Sequence, residues 1–332
     1  LLRVLVLGGN RYIGRHLVEE LAHRGHEVTV FNSHPSPLPE GVRRIHGDRR
    51  VPGVIQEMLG PLRDEFDAVF DNTSYQVEDV QPLVEIFRGR VKHYVFTSST
   101  AVYLWSNALP VREDFPVSDD DAKNPARAYG AGKVRCERLL QREFEENGFP
   151  FTSLRVGHTL GPHSPLPTRD PGFFMRLELG RPILMPGDGT AVVHLVHIDD
   201  VASAMCAVIE TENSIGQIYN INGKEFAGMA AYVRLMGDVV GVEPKFVYIP
   251  RDIAKTIRPP VIHWAEWYRG SMVFSIEKAR RELNWEPKFD LKSGLEDSYK
   301  WFREGGRETY EFDFSHDDAV LKMLEEKGLL PN

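Results

Sequence analysis

The sequence predicts an α/β fold: a doubly wound parallel sheet with a smaller C-terminal α+β domain. Three observations predict it. Short apolar runs alternate with helically patterned stretches through the first half of the chain, the pattern of a parallel sheet with helices on both faces. The first run, RVLVL, is a short apolar run rather than an alternating one, as a strand buried on both faces is. The first strand-to-helix turn reads GGNRYIG, a glycine-bearing turn of the kind that brings backbone close to a phosphate at a helix N-terminus.

The elements follow in order. RVLVL, Arg3 to Leu7, is a first buried strand. Tyr12 to Arg24 form a helix, with Ile13, Leu17, Leu21 and Ala22 on one face. HEVTVFN is a second strand, RRIHGD a third that ends at Asp48, and VIQEMLGPL a helix. DAVFDN is a fourth strand, VEDVQPLVEIFRG a helix and KHYVFTSST a fifth strand. A helix over Tyr129 to Asn147 and the strand FTSLRVG complete this half. GPHSPLPTRDPG is rich in proline and glycine and reads as a loop. Beyond it, FFMRLELGRP, VVHLVHIDDVASAMCAVIE and QIYNING partly return to the first domain, and helices with short strands follow from Phe226. The expected division is residues 1–160 with returning segments near 190–222, and residues 161–332 as mainly substrate-binding. EDFPVSDDDAKNP lacks the spaced ligands of a calcium loop and reads as solvated.

The bulk composition narrows the functional classes. A chain of 332 residues suits one large or two modest domains. With 42% hydrophobic and 27% charged residues it has an ordinary globular composition. A net charge of −8 argues against general binding to nucleic acid or anionic membrane. No apolar run has the length of a membrane span. LLRVLVLGG lacks the charged start and small-residue cleavage site of a signal peptide, and the two cysteines, Cys136 and Cys206, have no metal spacing. Reduced thiols and a cytoplasmic location are expected.

The chemistry gathers on few residues. Gly8 and Gly14 hold the outer places of the turn, while Arg11 stands where a middle glycine is expected. Arg11 either sets a permanent cation near a ribose or pyrophosphate, or packs over the turn and pairs with a surface carboxylate. Tyr129 and Lys133 are four apart in AYGAGKVRCERLL and so share a helix face. A lysine cation favours tyrosinate, so the phenol can exchange a proton with a substrate hydroxyl near neutral pH. Ser99 ends the fifth strand in FTSSTAVY, at the carboxyl edge where open α/β sheets bind ligands. The end of the second strand reads Phe31, Asn32, Ser33, His34, with no acid for a ribose 2′-hydroxyl. His158, His163, His194 and His197 invite a metal, but His194 and His197 are three apart in a strand and point to opposite faces. No metal site is expected.

On these motifs the chain resembles extended short-chain dehydrogenase/reductases of the NAD-dependent epimerase/dehydratase type, which have the Rossmann fold. VHIDDVASA, YNING and SIEKARRELNWEPKFDLKSGLEDSYKWF are similar to later landmarks of that family. GGNRYIG, HGDRR and FFMRLELGRPILMPGDG most resemble the branch of chloroplast stem-loop-binding proteins and their bacterial relatives. The resemblance implies Tyr129 as catalytic acid/base, Lys133 on the nicotinamide ribose and Ser99 on the substrate oxygen. It implies cofactor contacts at Gly8, Asn10, Arg11, Tyr12, Ile13, Gly14, Asn32, Ser33, Asp48 (on the adenine) and Thr73, besides Tyr129 and Lys133. The implied cofactor is NAD, with NADP left open by the missing acid. A homodimer is implied as well.

Within that family, dehydratases carry an Asp-Glu pair, and decarboxylases a glutamate, just after the strand-end hydroxyl. Thr100 and Ala101 stand there instead. Epimerisation through a transient ketone, as in UDP-glucose 4-epimerase, or simple oxidation or reduction of another carbonyl or hydroxyl substrate then remains. Val193 occupies a place where epimerases of nucleotide sugars supply an arginine. Thr100, Arg176, Arg181 and Arg269 are substrate candidates, and Trp264, Trp267 and Tyr268 suit a pocket, a core or a dimer contact equally. The plant members of the branch add a reading from another class, an RNA-binding protein with a relic dehydrogenase fold.

Overall fold

A computed structural model describes residues 1–121, 127–261 and 271–330. The first elements are β1 (Arg3–Leu7), α1 (Tyr12–His23), β2 (Glu27–Asn32), β3 (Arg43–His46), α2 (Val54–Leu59), β4 (Ala68–Asp71), α3 (Val77–Phe87) and β5 (His93–Ser99). Next come α4 (Ala128–Asn147), β6 (Phe151–Val156), β7 (His158–Leu160), α5 (Asp170–Glu178), β8 (Ile183–Pro186), β9 (Val192–His197) and α6 (Ile198–Ile209). The chain continues through β10 (Gln217–Ile221), β11 (Phe226–Gly228), α7 (Met229–Val240), β12 (Phe246–Ile249) and α8 (Arg251–Ala254). It closes with α9 (Glu277–Leu283), α10 (Leu291–Arg303) and α11 (Ser315–Glu326).

Two compact units form. The first comprises Leu1–Thr159, Ile198–Asn222 and Phe274–Lys288. Its sheet has seven strands in the order β10-β6-β5-β4-β1-β2-β3, every pair parallel. The order runs outward in both directions from β1 and β4, the double winding that right-handed crossovers produce. β1, β4 and β5 are buried along nearly their whole length, which explains the apolar runs VLVL, AVF and YVF within them. Leu5, Leu7, Val69, Tyr94 and Phe96 meet Leu83, Val84 and Phe87 of α3 and Leu139 and Leu140 of α4 in one core. A side chain of that size contributes about 1.5–3 kcal/mol when fully buried.

The second unit comprises Leu160–His197, Gly223–Val273 and Phe289–Asn332. Its larger core joins Phe173, Phe174 and Leu177 of α5 to Tyr232, Val233 and Met236 of α7 and Leu295 and Phe302 of α10. The run VVHLVH thus lies in the second unit, while Phe274–Lys288 lies in the first. GPHSPLPTRDPG is not loop to its end: Asp170, Pro171 and Gly172 begin α5, with Pro171 in the first turn, where a missing N–H costs nothing. β3 stops at His46, two residues short of Asp48. No helix among the described residues is long and apolar enough to cross a membrane. Cys136 and Cys206 are buried free thiols.

Candidate active site

The glycine turn is built by steric necessity. A Cβ on Gly14 would lie 1.8 Å from the Gly8 carbonyl oxygen, so the first turn of α1 rests on the end of β1 only because that atom is absent. Gly8 has a φ of 82° and its N–H donates to the Phe31 carbonyl at 3.1 Å, tying the turn to β2. Arg11 needs no glycine-like freedom. Its φ of −132° is ordinary, and the left-handed residue is Tyr12, with a φ of 41°. Arg11 is exposed, and its side chain has no hydrogen bond or ion pair among the described residues. The surface carboxylate that would have explained Arg11 as a packing residue is therefore not engaged.

At the end of β2, Asn32 is 6% exposed, and both its Oδ1 and Nδ2 lack a partner among the described residues. A buried amide left unsatisfied costs about 1–3 kcal/mol, so a polar ligand is the natural completion of this place. Ser33 Oγ lies 2.9 Å from His34 Nδ1. Asp48 is clamped by Arg50, whose Nη2 reaches Oδ2 at 2.6 Å, and this bond drops the carboxyl to about 2. The ribose end of the turn thus carries no uncompensated carboxylate from these residues.

The second cluster sits at the carboxyl ends of β4 and β5. Lys133, on α4, is 2% exposed. Its Nζ donates to the Ser74 carbonyl at 2.6 Å and the Thr97 carbonyl at 2.7 Å. It lies 4.7 Å from the Tyr75 ring centroid, 4.8 Å from that of Phe96 and 5.9 Å from that of Tyr129. Burial pushes the ammonium down to about 8. Tyr129, one turn earlier, is 47% exposed and tilts against Tyr75 at 6.1 Å. Two glycines make this approach feasible. A Cβ on Gly130 would meet the Ala101 carbonyl oxygen at 2.2 Å, and one on Gly132 the Tyr75 carbonyl oxygen at 2.4 Å. AYGAGK therefore brings the start of α4 onto the backbone that follows β4 and β5. The glycine pair inside a helical pattern was a visible signal, since each costs about 1 kcal/mol there against alanine.

Ser99 ends β5, and its Oγ accepts from the Ala101 N–H at 3.2 Å, shaping the 3-10 turn Thr100–Val102. Thr100 is buried in that turn. Thr73 Oγ1 accepts from Arg49 Nη1 at 2.5 Å. Asn10 is half-buried, and Tyr12 and Ile13 start α1. Arg176 does not present a free cation: its Nε holds Asp317 at 2.7 Å and its guanidinium stacks on Phe314 at 4.8 Å. Arg181 pairs with Asp318 over the same ring. Val193 is a buried core residue. Arg269, Trp264, Trp267 and Tyr268 lie outside the described residues. Sequence reasoning missed Arg127, two residues before Tyr129. Its Nη1 donates to the Tyr103 carbonyl at 3.5 Å, while Nε and Nη2 are buried without a partner among the described residues.

Comparisons with known proteins bear on the family and the fold. The chloroplast stem-loop binding protein of 41 kDa b of Arabidopsis thaliana is 32% identical, covering 96% of this chain and 84% of its own. A UDP-glucose 4-epimerase of Corynebacterium glutamicum is 26% identical over 90% of this chain and 95% of its own. The solved structure of UDP-glucose 4-epimerase from Thermotoga maritima with UDP-glucose shares the fold, with a TM-score of 0.72 at 22% identity, covering 91% of this chain and 98% of that one. The family described as the NAD dependent epimerase/dehydratase family matches residues 4–222. By that match and by the relative at 32% identity, the chain belongs to the NAD dependent epimerase/dehydratase family.

Proposed function

We propose that the chain is an NAD-dependent sugar-nucleotide epimerase. The observation that carries the reading is Lys133: a buried ammonium held only by backbone carbonyls and rings, one helical turn from a half-exposed tyrosine. The residues at the turn fit NAD. The Gly8–Gly14 cradle leaves no room for side chains, and the unpartnered Asn32 amide suits a ribose hydroxyl. Bound NAD supplies reversible hydride transfer at a substrate carbinol carbon, which lets a hydroxyl-bearing centre be inverted. Tyr129 Oη takes the hydroxyl proton and later returns it. Lys133 favours the tyrosinate by its charge, and its third N–H, not used by the two carbonyls, is available to a ribose hydroxyl. Ser99 Oγ holds the reacting oxygen. Arg127, rather than Arg176, is our choice for the anionic part of the substrate, because its guanidinium has unused buried donors.

Two relatives named as UDP-glucose 4-epimerases, at 26% and 23% identity, support UDP-glucose and its 4-epimer as the first substrates to try. The absent acid at Asn32 makes rejection of NADP weak. A homodimer belongs to the same reading and is checked by sedimentation. The test is turnover: the purified chain with NAD and UDP-glucose should yield the 4-epimer without net NADH, and Tyr129→Phe should not. The 32% relation to a stem-loop binding protein favours a second reading, RNA binding. Salt-sensitive retention of a stem-loop RNA, with no conversion of any nucleotide sugar, would support it instead.

A further inference from the structure

Beneath Lys133 lies a buried ion pair that the reading above does not use. Arg49, in HGDRR, has a side chain 13% exposed, and that of Asp71, at the end of β4, is fully buried. Arg49 Nη1 is 3.4 Å from Asp71 Oδ1. Its Nη2 donates to Ser74 Oγ at 3.0 Å and to the Asp79 carbonyl at 2.8 Å. Asp71 accepts the Tyr94 hydroxyl at 2.7 Å, the backbone N–H groups of Thr73 and Ser74 at 3.1 Å each, and the Ser74 hydroxyl. The carbonyl of the same Ser74 holds Lys133 Nζ at 2.6 Å. One residue is therefore fastened by the ion pair at its N–H and hydroxyl, and by the lysine at its carbonyl.

Stability alone is a weak reason for such a pair, because desolvating two charges offsets most of their attraction. The lysine supplies a better one. Lys133 has no carboxylate ligand among the described residues, so its charge depends on the field around it. Burial opposes the ammonium most strongly; Asp71 is the largest charge in its favour, and Arg49 opposes it more weakly. On its own helix Cys136 and Glu137 also bear on it, and Glu137 is already tied to Arg155 at 2.8 Å. The Tyr129 and Tyr75 rings face it from α4 and from the segment after β4.

We propose that Arg49 and Asp71 are positioning residues for Lys133: they fix the Ser74 carbonyl that holds Nζ and set opposed charges beside the buried ammonium. What this does for catalysis rests on the epimerase reading; the coupling itself does not, and it is measured without cofactor or substrate. The experiment follows the Lys133 side-chain resonance in protein carrying isotope-labelled lysine, identified as the signal missing from Lys133→Met, from about pH 6 to about pH 11. Asp71→Asn should lower the midpoint by about one unit, a tenfold change in proton affinity, and Arg49→Gln should raise it by a smaller amount. The double variant should lie between the two single variants. A merely structural pair would move both variants the same way or neither, and that result overturns the proposal. Should Asp71→Asn fail to fold, Arg49→Gln and the double variant decide: a rise in the first that the second cancels supports the coupling, and no rise overturns it. NAD titration of the same samples keeps the two claims apart. Opposed shifts in a protein that binds no NAD would leave the coupling standing and remove the epimerase reading; NAD binding with an unmoved midpoint would do the reverse.

Discussion

Lys133 in the first unit and Arg176 in the second are both cations on helices, the one buried and the other half-buried, and both look like functional residues in the sequence. Their surroundings differ. Lys133 is held by two carbonyl dipoles and three aromatic faces, with its full charge uncompensated at its own contacts. Arg176 has a carboxylate at 2.7 Å, a carbonyl of its own helix at 3.0 Å and a ring beneath it. A cation held by neutral groups keeps its field for a neighbour such as Tyr129. One already paired has its field closed locally and serves as a staple between α5 and α11. The difference teaches that residue type and spacing nominate a functional cation, whereas its partners decide whether it is free to act.

The largest expected effect comes from removing the open cation. Lys133→Met should lower turnover of the nucleotide sugar by about a thousandfold, within the usual range for losing acid–base assistance. The same variant should flatten one part of the stability profile. The folded lysine titrates at about 8 and the unfolded one near 10.5. Between those values the unfolded chain holds more protons, so stability rises with pH; below about 8 the burial penalty is constant and full. Denaturant unfolding across that window should show a gain of up to about 3 kcal/mol that Lys133→Met lacks.

Breaking the staple should do the opposite kind of damage. Asp317→Ala should cost about 2 kcal/mol of stability, because it leaves the half-buried Arg176 without its carboxylate, and should leave NAD affinity unchanged. A matching loss of NAD binding would erase the contrast between the two cations. The smallest effect belongs to the ribose end. Asn32→Asp should weaken NADP about tenfold relative to NAD in equilibrium titration, since a carboxylate there repels a 2′-phosphate.

The sheet was legible in the sequence because strands buried on both faces favour short apolar runs, and VLVL in β1 and YVF in β5 supply them. The turn and the Tyr129–Lys133 pair were legible because their chemistry is carried by local spacing. The start of α5 was not, since a proline-rich run reads as loop unless Pro171 is taken as a first-turn residue. Partnerships between distant residues were beyond reach. Asp317 lies 141 residues from the arginine it holds, and Asp71 lies 22 from Arg49 with nothing between to mark the pair. Asn32 gave its type but not its burial or its unpaired amide, which only the packed end of β2 defines.

The most direct test of the central claim is the identity of whatever dinucleotide the native protein carries. The purified chain is denatured and the released small molecules are analysed by mass spectrometry, followed by titration of the emptied protein with NAD. The account predicts NAD in the released fraction, or saturable binding of it on titration that Gly14→Ala abolishes. A protein that releases no dinucleotide and binds none would contradict it, whatever the resemblance of its fold.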